Sequence, residues 1–171
     1  MPHSFYIELS KAAEQLAQLL QQSKQRIVFA ESCTAGLVSA TLAQVPGISQ
    51  WYCGSAVVYR ETTKTAWLKI PPEFIETNGV VSAEVAARMA KAVLEQTPDA
   101  DISAAITGHL GPDAPAHLDG VVYIATAKRN DVASRTRRVT LTSQDRQFRQ
   151  PEAAAYLLDD VSNHILPTRN T

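Results

Sequence analysis

The sequence has no excess of charge of either sign. Its 16 Lys and Arg residues against 17 Asp and Glu leave a net charge of −1, and the pI is about 6.4. That balance gives no general attraction to nucleic acid or to an anionic membrane surface. Cysteine is scarce, with only Cys33 and Cys53. Two thiols do not make a disulfide framework, so a reducing, cytoplasmic location is expected. No apolar run approaches the roughly 20 residues that a membrane-spanning helix needs. Internal repeats, low-complexity segments and linkers are absent as well. The opening stretch MPHSFYIELSKAAEQLAQLL carries Glu8, Lys11 and Glu14 among its apolar residues. It reads as an amphipathic helix rather than a signal peptide.

Apolar residues are plentiful. They make up 45% of 171 residues, enough for one well-buried core and short for two domains. A single domain over 1–171, with its core at about 7–166, is expected.

The patterning alternates between strand and helix. Residues 7–22 place Ile7, Leu9, Ala12, Leu16, Leu19 and Leu20 near one helical face. RIVFA, 26–30, is a continuous apolar run, as in a strand covered on both faces. A helix over 33–45 closed by Pro46-Gly47, a strand over 51–59 and a short helix over 61–70 follow. Pro71 and Pro72 end that helix or open the next segment. The segment 80–96 is the clearest helix: Ser82 is a natural N-cap, Glu84 suits the positive end of the dipole, and Val85, Met89, Ala92 and Val93 form a stripe. DISAAITG, 101–108, is a buried strand. Residues 120–127 and 134–142 flank a polar turn and read as an antiparallel hairpin. A last helix spans about 145–165, starting or bending at Pro151. The alternation predicts a three-layer α/β/α sandwich with a mixed sheet.

The most informative stretch is FAESCTAGL, 29–37. Ser32 lies between a buried strand and a helix start. It can serve as an N-cap there, worth about 1 kcal/mol relative to Ala. The same position is also where ligands bind in α/β sheets, and backbone N–H groups favour a developing negative charge. A nucleophilic serine would need a base. His3 and His164 lie near the termini, and His109 and His117 sit in a turn-rich loop. Lys64 follows the next strand, and if the two strands are parallel neighbours, Ser32, Tyr59 and Lys64 meet at one end of the sheet. Capping by Ser32, an ordinary strand-end role for Tyr59 and a solvated Lys64 are the plain alternatives. Cys33 could be a nucleophile with a lowered pKa, or a buried structural thiol. His109, His117, Asp113 and Asp119 could assemble around a metal, or be ordinary loop residues. Arg135, Arg137 and Arg138 give the hairpin a basic edge of the kind that discourages strand pairing.

FAESCTAGLVSATLAQVPGIS and GSAVVYRETTKTAWL together resemble the CinA C-terminal domain family, which includes bacterial nicotinamide-nucleotide amidases. The family's Ala-Glu-Ser-Cys-Thr-Gly-Gly opening matches Ala30 to Gly36, and its Val-x-Tyr with a lysine five residues on matches Val57, Tyr59 and Lys64. NGVVSAEVAARMA, ISAAITGHLGP and SQDRQFRQPEAA resemble later family segments, so the likeness runs over about residues 7–166. The resemblance implies hydrolysis of the carboxamide of nicotinamide mononucleotide to nicotinic acid mononucleotide and ammonia. By matching position, Ser32 would be the nucleophile, Lys64 its base and Tyr59 a catalytic neighbour. Glu31, Thr34, Gly36, Thr107, Gly108, Gly111 and Arg146 would bind the substrate. No metal or other cofactor is implied. The expected partners are a small nucleotide substrate and further copies of the chain, a dimer foremost; nucleic acid and membrane are not. Larger family members carry an extra N-terminal domain, for which 171 residues leave no room.

The departures from the family pattern fall around the presumed pocket. Ala35 stands at one of the paired glycines, His109-Leu110 before Gly111, and Asp113-Ala114 where glycines are expected. Asp119 adds a second carboxylate, and a carboxylate beside a phosphate repels it. A paralogue that binds a nucleotide-like ligand with a shifted substrate or without catalysis is the alternative reading.

Overall fold

The computed structural model describes residues 2–165, with side chains described from residue 5 onward. Five strands form one sheet in the order β2-β1-β3-β4-β5. Strand β1 (Ile27–Glu31) lies between β2 (Tyr52–Val57) and β3 (Ile102–Gly108) and is parallel to both. Strands β4 (Val121–Lys128) and β5 (Arg135–Thr140) continue the sheet antiparallel, as the hairpin pattern predicts. The sheet is therefore mixed.

The period-two alternation of side chains along the buried strands builds two cores. Ile27, Phe29, Ile102, Ala104 and Ile106 face α1 (Pro2–Ser23), α2 (Leu37–Leu42) and α6 (Arg146–Ile165). Val28, Ala30 and Ala105 face the layer of α3 (Glu61–Leu68), α4 (Pro72–Asn78) and α5 (Ala83–Glu95). This is the three-layer α/β/α sandwich expected from the sequence. Chain connections from β1 to β2 and from β2 to β3 run over opposite faces. The C-terminal end of β1 is therefore a switch point, where an open α/β sheet leaves a crevice.

Several boundaries differ from the periodicity. Helix α1 buries Leu9, Ala13, Leu16 and Leu20, whereas Ile7 is exposed and Leu19 half-buried. Its apolar stripe starts at Leu9. Helix α2 begins at Leu37 rather than at residue 33, because Ala35 and Gly36 take positive φ angles of 53° and 94° and break the helical path. Pro72 opens α4, where its missing N–H costs nothing. Ser82 caps α5 by accepting from the Val85 N–H, and Val85, Met89, Ala92 and Val93 are buried as predicted. Helix α6 starts at Arg146 rather than at Pro151, which lies within it. Among the described residues, no helix is long and apolar enough to cross a membrane.

Candidate active site

The alternation that builds the two cores also sorts Glu31 from Ser32. Glu31 continues the row of Ile27 and Phe29 toward α2, and Ser32 continues the row of Val28 and Ala30 toward α3. Glu31 is fully buried. Its carboxylate accepts from Thr34 Oγ1 at 2.8 Å and from the backbone N–H groups of Gly36, Val38 and Ser39 at 3.0, 3.2 and 3.0 Å. The Ser39 hydroxyl donates to it as well, and the Ser55 hydroxyl at 3.4 Å. These are the orphan donors at the start of α2, and a carboxylate suits that end of the helix dipole. Glu31 caps α2 from within the preceding strand. Its oxygens are engaged by donors of the protein itself. Thr34 is likewise buried and turned to Glu31. Ser32 is not the cap, since the N-cap position of α2 is Gly36.

Ser32 is 7% exposed and faces a lysine. The parallel pairing of β1 with β2 brings their C-terminal ends together, and Val58 donates its N–H to Glu31 O at 2.8 Å. The chain then enters α3, which carries Lys64 back over the end of β1. Lys64 is completely buried. Its Nζ lies 3.0 Å from Ser32 Oγ, 2.8 Å from Val58 O and 3.5 Å from Tyr59 O. Burial lowers its pKa to about 8, opposed by the neighbouring Cys33 and Glu61 side chains. Two carbonyls can accept N–H bonds only, so a neutral Lys64 amine turns its lone pair to the Ser32 hydroxyl.

Cys33 is 4% exposed, and burial pushes its thiol up to about 12. It is a core thiol, not an activated nucleophile. The backbone N–H groups of Cys33 and Thr34 donate to no other described residue. Beside Ser32, the Thr34 N–H has no partner among the described residues, and the Cys33 N–H meets only its own thiol.

The rim comes from three further segments. Tyr59 is 52% exposed, and its hydroxyl accepts from Arg146 Nη2 at 2.5 Å rather than meeting Ser32 or Lys64. What Tyr59 contributes to Lys64 is its backbone carbonyl. Arg146 also donates to Gly111 O at 2.7 Å. Thr107 is buried and donates to Val80 O at 3.0 Å. Gly108 has a packing reason of its own: a Cβ there would lie 2.4 Å from a Val122 methyl. Glycine at 108 thus lets β3 and β4 approach, independently of any ligand.

The loop after β3 is organised by a residue that sequence reasoning passed over. Arg149 is buried and makes a two-pronged ion pair with Asp119, at 2.7 and 3.0 Å. It also donates to Leu110 O at 3.2 Å and Ser143 O at 2.8 Å. The bonds from Arg149 hold the exposed Asp119 carboxyl below the usual carboxylate range. The Asp119 charge is therefore matched, and Asp113 is the loop's unmatched departure, exposed and at φ 64°. Among the described residues, no three His, Cys, Asp or Glu side chains gather as a metal site. Gln150, also unnoticed in the sequence, donates from Nε2 to Thr34 O at 3.0 Å.

The fold and this pair define an α/β protein with a buried serine–lysine couple at the switch point of a mixed sheet. The family model for the CinA C-terminal domain matches residues 9–165, and the chain belongs to that family. A CinA-like protein of Myxococcus xanthus is 32% identical over 164 residues, covering 95% of this chain and 38% of that protein. A CinA-like protein of Dictyoglomus thermophilum is 37% identical over 129 residues, covering 74% of this chain and 31% of that protein. The chain thus spans well under half the length of these curated relatives. A crystal structure of a competence or damage-inducible protein from Enterobacter asburiae superposes with a TM-score of 0.84 at 28% identity, over 92% of this chain and 98% of that one. A CinA superfamily protein from Escherichia coli gives 0.82 at 26% identity, over 90% and 88%.

Proposed function

We propose that this chain is a serine amidohydrolase that removes ammonia from the carboxamide of nicotinamide mononucleotide. The observation that carries the reading is the 3.0 Å contact between Ser32 Oγ and a buried Lys64 Nζ. Above about pH 8 the amine is neutral and can take the hydroxyl proton. Ser32 Oγ attacks the carboxamide carbon, and the proton passes to Lys64. The backbone N–H groups of Cys33 and Thr34 receive the oxyanion. On collapse the C–N bond breaks, and Lys64 returns the proton to the leaving nitrogen, releasing ammonia. Water then attacks the acyl-enzyme carbonyl, Lys64 takes its proton and returns it to Ser32 Oγ, and the acid leaves.

Arg146 carries the cationic charge at the rim and receives the nucleotide's anionic part. Tyr59 holds that guanidinium by its hydroxyl and Lys64 by its carbonyl, so it positions both groups rather than relaying a proton. Ammonia assayed after incubation with nicotinamide mononucleotide tests the reading. Release by the parent and none by Ser32→Ala supports it; no release by the parent overturns it.

A further inference from the structure

Arg146 and Gln150 stand one turn apart on α6, so both side chains lie on the same helix face. Arg146 grips the substrate side through the Tyr59 hydroxyl and Gly111 O. Gln150 grips the nucleophile side through Thr34 O, at 3.0 Å. Thr34 O can only accept, so the amide must present its NH2 group there. The same carbonyl accepts from the Leu37 N–H at 3.1 Å, and the Ala35 N–H returns to Ser32 O at 3.0 Å. Three bonds reach the turn from afar: the Ser32 N–H donates to Ile106 O at 3.1 Å and Lys64 Nζ meets Ser32 Oγ, both at its β1 end, and Gln150 is the one that reaches Thr34.

We propose that Gln150 is a positioning residue for acylation at Ser32, its amide fixing the turn that supplies the Cys33 and Thr34 N–H groups. The proposal rests on the serine-nucleophile reading. It differs from a packing role because it needs a hydrogen-bond donor, not only volume. Glu31 fixes the turn from the α2 side and Gln150 fixes it from α6. Loss of either tether lets the N–H pair drift from the developing oxyanion, where small displacements are costly.

A fluorophosphonate probe tests this without knowledge of the substrate. Ser32 Oγ forms a bond to phosphorus, the P–F bond breaks, fluoride leaves, and the hydroxyl proton goes to Lys64. We expect Gln150→Leu and the isosteric Gln150→Glu each to label about tenfold more slowly than the parent, as a misplaced catalytic contact would. Gln150→Lys restores a donor and is expected to recover much of the rate. The pH midpoint of labelling by Gln150→Leu should stay where the parent has it, because that variant places no charge near Lys64. Melting temperatures show whether each variant is folded. A folded Gln150→Glu that labels at the parental rate overturns the proposal. So does a shifted midpoint in the neutral Gln150→Leu, which would mean that Gln150 acts through Lys64. A parent that labels while all variants match it removes only the role of Gln150. A parent that does not label removes the serine-nucleophile reading, and this proposal with it.

Discussion

Two segments flank the candidate site, and they are held in opposite ways. The turn after β1, residues 32–36, is anchored from inside by the buried Glu31 carboxylate and its six donor contacts. The loop after β3, residues 109–120, is anchored from the rim by two arginines: Arg149 pairs with an exposed Asp119 and donates to Leu110 O, and Arg146 donates to Gly111 O. Buried polar networks are costly to leave half-satisfied, whereas exposed ion pairs contribute little. The proposed chemistry thus sits on the segment least able to vary, and under that proposal ligand selection falls to the segment most able to. The departures from the family pattern follow that division. His109, Leu110, Asp113 and Ala114 all lie in the loop, and Ala35 alone lies in the turn.

The largest expected effect is at the nucleophile. Ser32→Ala should lower amide hydrolysis at least about a thousandfold. The fold should survive, because Ser32 caps nothing and Glu31 keeps its donors. Ammonia assays beside a melting curve check both halves. Lys64→Arg comes next. Arginine keeps its charge throughout the accessible pH range, so it cannot accept the serine proton, and a loss of about 10²- to 10⁴-fold is expected. An active arginine variant would leave Lys64 only an electrostatic role.

The comparison itself is broken most directly at Glu31. Glu31→Gln replaces an acceptor by a donor facing other donors, with an expected cost of about 3 kcal/mol in a denaturant titration. Asp119→Asn should cost clearly less. Its sign with pH is fixed by the lowered carboxyl. The stabilisation is present above the unfolded value near ~3.9 and is lost as pH falls through the folded value. The gap between parent and Asp119→Asn should therefore close in acid. An Asp119→Asn penalty as large as that of Glu31→Gln would refute the contrast. The smallest effect is at Ala35, whose φ of 53° is unfavourable for a residue with a Cβ. Ala35→Gly should stabilise by up to about 1 kcal/mol, reduced by the added freedom of the unfolded chain.

The three-layer architecture was legible because β1, β3 and α5 announce themselves by local period. Their apolar residues fall two or about 3.6 positions apart, and no distant partner is needed to read them. The meeting of Ser32 and Lys64 followed from one further condition, that β1 and β2 run parallel and adjacent. The role of Glu31 was harder to see. Its acceptors are shared among donors at 34, 36, 38, 39 and 55, a pattern no standard cap has. The one sequence signal was a carboxylate closing a wholly buried strand, which must find donors somewhere. Arg149 with Asp119 and Gln150 with Thr34 lie 30 and 116 residues apart. Pairings of that kind leave no local period. The start of α2 was misplaced because helix propensity at 33–36 is overridden by the two positive φ angles.

The pH dependence of ammonia release from nicotinamide mononucleotide, followed from about pH 6 to 10 in the parent, tests the central claim most directly. Lys64 must be neutral to act, and burial lowers its pKa to about 8. The account predicts a rate that rises with pH through a single ionisation near 8 and then levels, with Ser32→Ala inactive throughout. A rate that is flat across that range, or that rises only near the ordinary lysine value of ~10.4, would contradict it.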